Sequence, residues 1–137
     1  MISEADREFL RLAIEEAEAG LAEGGLAIGS VLAGDGEVIA RGRNRFNQTG
    51  DMTAHAEMDC LRDAGPRAGN PGLTLYTTMS PCIMCAGAMV RLGIRRVVVG
   101  DAVSFPGEPE FLRGYGIEVV VTNDPDCVAL AEQAEGG

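Results

Sequence analysis

The sequence predicts an α/β fold: a three-layer α/β/α sandwich built on a five-stranded mixed sheet. Three observations predict it. Segments of helical period alternate with short β-branched runs in the order α-β-β-α-β-α-β-α-β-α. The first two β runs are separated only by Gly34–Asp35–Gly36, a hairpin turn, so they pair antiparallel. The later strands alternate with helices, which implies parallel pairing with right-handed crossovers and helices on both faces. At 137 residues, with no repeat or linker, a single domain spanning 1–137 is expected.

The elements follow in order. Residues 3–23 form an amphipathic helix, with Leu10, Ile14, Ala17 and Leu21 on one face and acids on the other. Ser3 is its N-cap and Gly24–Gly25 its stop. Residues 26–33 and 37–45 are the hairpin strands, and Gln48–Thr49–Gly50–Asp51 is a loop. A second helix runs from about 54 to 64 and stops at Gly65–Pro66. Residues 73–77 are the third strand. Ser80 is expected to cap a third helix with Pro81 at its first position, ending at Gly93. The triple Val97–Val98–Val99 marks the fourth strand, at 96–100. A short helix at 109–113, a strand at 117–121 and a helix at 126–133 complete the chain.

Composition narrows the function. Apolar residues make up 46% of the chain, enough for a core, yet no apolar run approaches the ~20 residues of a membrane span. The start, MISEADREFL, is acidic and lacks the basic and apolar regions of a secretory signal, so a cytoplasmic protein is expected. The net charge is −10. The basic residues Arg41, Arg43 and Arg45, and the pair Arg95–Arg96, read as solvated strand ends. No nucleic-acid partner is therefore expected.

Two segments carry chemistry: His55–Ala56–Glu57, and PCIMC at 81–85. Each opens a predicted helix, and His55 is the only histidine. Cysteines at i and i+3 share one side of a helix, and its positive N-terminal end favours their thiolates. Two thiolates and one imidazole give zinc three protein ligands, leaving a fourth position for water, whose pKa then falls to roughly 7. His55 and Glu57 lie about 200° apart around a helix, so both reach one metal only if it sits off the helix N-terminus. Two helix N-termini should then converge on one zinc, with Glu57 left free to carry protons. Alone, Cys82 and Cys85 would also suit a redox pair or half of a structural zinc site. Cys60, about 140° around the helix from His55, and Cys127 read as buried core. H-x-E combined with P-C-x-x-C is the zinc deaminase signature.

From Gly24 to Cys127 the chain resembles the cytidine deaminase-like superfamily, and within it the fungal-type cytosine deaminases. The likeness lies in GGLAIGSVL, RGRNRF, HAEMDCL, TLYTTMSPCIMCAGAMVRLGIRRVVVGD, Val103–Phe105, and IEVVV before Asp126–Cys127. It implies one zinc ion on His55, Cys82 and Cys85, with Glu57 as proton shuttle. It implies that Asn44 and the Ala56 N–H hold the carbonyl side of a ring. The Ser80 carbonyl would accept from the amine, Phe105 would cover the ring, and Ile28 and Thr53 would line the pocket. From the residues alone, Asn44 also fits as a strand end, Phe105 and Ile28 as core, and Thr53 as a helix cap.

The chain departs from the family pattern at Ala27, usually proline, and at Ala56, glycine in the most similar relatives. Ala134–Glu135–Gly136–Gly137 is also expected not to supply the aromatic, acidic segment that closes the fungal-type pocket. The implied reaction is hydrolytic deamination of a free base, cytosine to uracil and ammonia, by a homodimer. Isocytosine, guanine or creatinine-like rings are alternatives, as is a tRNA adenosine deaminase. A non-enzymatic zinc module is the remaining alternative.

Overall fold

The structure, a computed structural model, describes the backbone of residues 2–136 and the side chains of 2–133. The reading of 134–137 as lacking a closing segment lies outside those side chains. The elements are α1 (Glu4–Ala22), β1 (Gly29–Gly34), β2 (Glu37–Arg43), α2 (Phe46–Thr49), α3 (Ala56–Ala64), a 3-10 turn (Gly65–Gly69), β3 (Thr74–Thr77), α4 (Ile83–Leu92), β4 (Arg96–Val99), α5 (Pro109–Gly114), β5 (Glu118–Val121) and α6 (Pro125–Gly136).

The five strands form one sheet in the order β2-β1-β3-β4-β5. β1 pairs antiparallel with both β2 and β3, whereas β3–β4 and β4–β5 are parallel. The β1–β2 hairpin turns at Asp35 and Gly36, both at positive φ (52° and 76°), as a two-residue primed turn requires.

The period of two along each strand divides the core. Leu32, Leu75, Val97 and Val99 face α3, α4 and α5. Their neighbours Val31, Ala33, Tyr76 and Val98 face α1 and α6. The sheet is thus buried on both sides, as parallel strands need. Cys60 belongs to the first layer and Cys127 to the second; both are fully buried.

Several expectations need correction. The strand expected at 26–33 begins at Gly29, because the Ile28 N–H turns back to the Leu26 carbonyl at 3.0 Å. The strand expected to reach 45 ends at Arg43, and the segment beyond it winds into the short helix α2 rather than a plain loop. Ser80 does not cap α4. Its hydroxyl donates to the Pro106 carbonyl at 2.8 Å, and the N-cap is Cys82.

Four of the five arginines read as solvated are paired; Arg95 is exposed as expected. Arg41 Nε reaches Glu16 at 3.1 Å, Arg43 reaches Glu16 at 3.1 Å and Glu23 at 2.7 Å, and Arg45 reaches Asp59 at 3.0 Å. α1 and α3 lay their acids along β2, which periodicity alone does not register. Arg96 likewise donates from its two terminal guanidinium nitrogens to the buried Asp6, at 2.9 Å each, and Tyr76 donates to the same carboxylate at 2.6 Å. Among the described residues no helix is long and apolar enough to cross a membrane.

Candidate active site

α3 and α4 start side by side, and their N-caps are unusual. An N-cap side chain ordinarily accepts from its own helix. Here the caps are His55 and Cys82, and neither side chain does so. Both are left to point elsewhere. Cys85, one turn into α4 and fully buried, joins them. Cys82 Sγ lies 3.5 Å and Cys85 Sγ 3.6 Å from the same atom, His55 Nδ1.

One ring nitrogen has a single proton or a single lone pair, so it cannot bond both sulfurs well. A shared cation explains the arrangement. Zn–S near 2.3 Å and Zn–N near 2.05 Å at a tetrahedral angle place N and S roughly 3.6 Å apart. The three donor atoms also lie within 4.8 Å of one another, as ligands of one ion must. They therefore fit zinc, and among the described residues no further His, Cys, Asp or Glu joins the group.

Glu57 follows on the first turn of α3 and is 4% exposed. Burial pushes its carboxyl up to about 7 in the metal-free chain. Hydrogen bonds from its own backbone N–H, Thr77 and Cys85 pull the other way without prevailing. Burial also pushes the Cys85 thiol up, so a cation is needed to keep it as thiolate.

The site opens onto a cavity of about 300 Å³, from which Cys85 is set back. His55, Glu57 and Cys82 form one part of its lining. Ile28, Asn44, Ala56, Ser80 and Phe105, singled out from the sequence, form another. Asn44 is 3% exposed, and its Oδ1 accepts from the Phe46 N–H at 3.0 Å, which leaves the amide nitrogen without a partner among the described residues. Thr53 is not brought in: it is exposed, its hydroxyl donates to Asp51 at 2.7 Å, and it neither caps α3 nor lines the cavity.

Leu26, Phe46 and Met79 do line the cavity and were not anticipated. A partial signal existed. Each is an apolar neighbour of a residue singled out from the sequence: Leu26 of Ile28, Phe46 of Asn44 and Met79 of Ser80.

The family model for the cytidine and deoxycytidylate deaminase zinc-binding region matches residues 3–101. The chain belongs to this family of hydrolytic deaminases. It is 39% identical over 128 residues to a cytosine deaminase of Candida albicans, covering 91% of this chain and 85% of that protein. It is 43% identical over 95 residues to a tRNA-specific adenosine deaminase of Agrobacterium fabrum, covering 67% of this chain and 62% of that protein. A solved structure from work on A-to-I editing by tRNA:A34 deaminases superimposes with a TM-score of 0.77 at 32% identity, covering 90% of this chain and 99% of that one. Another, solved with 2,6-diaminopurine, gives 0.81 at 24% identity over 99% and 84%, a likeness of fold.

Proposed function

We propose that the chain deaminates a free nucleobase, cytosine foremost, giving uracil and ammonia. The observation that carries the reading is the unligated, buried Glu57 beside the His55–Cys82–Cys85 trio on a cavity of about 300 Å³. A ring of nucleobase size fits such a space. The identity to a cytosine deaminase across 91% of the chain supports the choice of ring.

His55, Cys82 and Cys85 would hold the zinc, which supplies Lewis acidity to lower the pKa of a water toward 7. The chain's own groups do the rest. Glu57 takes a proton from the attacking water and gives it to a ring nitrogen as the C–O bond forms. It then takes the remaining proton from the new hydroxyl group and delivers it to the amine as the C–N bond breaks, so that ammonia leaves and the carbonyl forms. The Asn44 amide nitrogen and the Ala56 N–H donate to the ring carbonyl. The Ser80 carbonyl accepts from the amine. Phe105 covers one face of the ring, and Ile28 and Phe46 complete the apolar wall.

A second reading, a tRNA adenosine deaminase, draws on the Agrobacterium relative. Charge favours the first. A polynucleotide needs phosphate contacts from free cations, whereas Arg41, Arg43 and Arg45 are each paired with acids on a chain of net charge −10. The homodimer is part of the same proposal and is checked by sedimentation.

The test is ammonia release from cytosine, isocytosine, guanine, creatinine and an unmodified tRNA, with zinc-loaded protein. Turnover of cytosine above the others supports the reading. Turnover of tRNA alone overturns the substrate, and release from none overturns the enzyme.

A further inference from the structure

Phe105 sits on a segment, residues 101–108, that contains no strand or helix. Phe105 is 37% exposed and Val103 64%, so little packs over them. What holds the segment is one hydrogen bond from the Ala102 N–H to Asn123 Oδ1 at 2.9 Å, at its start, and then a set of hydrogen bonds to the two residues just before Cys82. The Ser80 N–H donates to the Asp101 carbonyl at 2.7 Å, and the Glu108 N–H donates to the Pro81 carbonyl at 3.0 Å. Between those anchors the Ser80 hydroxyl donates to the Pro106 carbonyl at 2.8 Å.

Upstream, Asp101 Oδ1 accepts from the Val103 and Ser104 N–H groups at 3.0 and 3.3 Å, which bends the segment but does not tie it down. Phe105 and Pro106 make no other hydrogen bond among the described residues. Gly107 completes the fit. It stands at φ +63°, and a Cβ there would strike the Ser80 hydroxyl and approach the Pro81 carbonyl at 2.7 Å.

We propose that the Ser80 hydroxyl is a positioning residue that sets where Phe105 stands over the cavity. It fixes the ring-covering wall against the same two residues that lead into the metal ligand Cys82. The wall and the metal are thereby held in one frame. The role is separate from that of the Ser80 carbonyl, which a Ser80→Ala substitution leaves in place. The inference rests on the proposed function only in taking Phe105 as a wall of the substrate site.

The experiment uses the zinc-loaded full chain with Ser80→Ala, Phe105→Ala, the double variant and Gly107→Ala. Zinc content is measured for each. Kinetics on cytosine give one readout. Amide hydrogen exchange across 103–108, without substrate, gives another that does not depend on the substrate's identity.

Loss of one hydrogen bond converts to about a tenfold change. Ser80→Ala is therefore expected to raise KM about tenfold, with a smaller fall in kcat, and to speed exchange at Glu108, whose N–H is bonded to the Pro81 carbonyl. In the Phe105→Ala background the same substitution should shift KM less than twofold. Gly107→Ala, which pushes the segment off from the other side, should give the same rise in KM with zinc retained.

A Ser80→Ala effect undiminished in the Phe105→Ala background would overturn the inference. So would exchange across 103–108 unchanged from wild type. If the wild type does not turn over cytosine, the functional proposal fails and the exchange measurement alone decides this one.

Discussion

Replacing Gly42 by alanine should displace the helix that carries His55 and Glu57. Gly42 lies on β2, where α3 crosses at closest approach. A Cβ there would lie 2.6 Å from the Ala56 carbonyl oxygen, 2.8 Å from Cys60 Cα, and against the Cys60 amide nitrogen. Ordinary contacts with carbon sit at about 3.5 Å. Every atom in conflict is backbone, so no side chain can swing aside, and α3 must retreat by about 1 Å. Overpacking of this kind costs about 1–3 kcal/mol of stability. A misplacement of about 1 Å at a reacting centre costs about 10²-fold in rate, or about 2.7 kcal/mol of transition-state stabilisation. The assay is kcat/KM for ammonia release, measured well below the variant's Tm and normalised to bound zinc. Full folding with kcat/KM within threefold of wild type would refute the claim that close packing of α3 on β2 positions the site.

Further outcomes follow from the same structure. Glu57→Gln should keep zinc and fold while losing about 10²–10⁴ in kcat, the usual worth of a general acid–base group; near-normal turnover would remove Glu57 from the reaction. Asp6 is held well below the usual carboxylate range, first by its hydrogen bond from Arg96. Because its folded pKa is depressed, it binds fewer protons folded than unfolded, and its stabilisation is full above about 4 and lost as pH falls below. Asp6→Asn should lower stability by about 2–4 kcal/mol at pH 7 and flatten the loss between pH 4 and 2 in denaturant titrations. Burial pushes the Cys60 and Cys127 thiols up to about 12, so a thiol-specific disulfide reagent at pH 8 should modify them only after unfolding, as mass spectrometry of the digested protein will show.

Much of this was legible in the sequence, for identifiable reasons. The hairpin, the parallel strands and the placement of helices on both faces follow from turn chemistry and period, which are local. The meeting of His55 with Cys82 and Cys85 was legible because H-x-E with P-C-x-x-C is a known signature; helix geometry, which keeps His55 and Glu57 off one flank, added that a metal would sit at the helix end. The boundaries at Arg45 and Ser80 were not, since each is decided by a partner further along the chain, and the one at Leu26 was not, since a single two-residue hydrogen bond leaves no trace in the period. Ser80 looked like a cap because Ser-Pro before a helix usually is one, yet its hydroxyl is drawn to Pro106, 26 residues away. The pairing of Arg43 with Glu16 and Glu23, and of Arg96 with Asp6, was hidden for the same reason. Phe46 and Met79 escaped notice because an apolar residue beside a site residue looks the same whether it lines a cavity or fills a core.

X-ray absorption at the zinc edge on purified protein tests the central claim most directly. One zinc per chain is expected, with two sulfurs at about 2.3 Å and light-atom neighbours at about 2.0–2.1 Å that include a single imidazole. A third sulfur, a second imidazole, or protein that takes up no zinc would contradict the account.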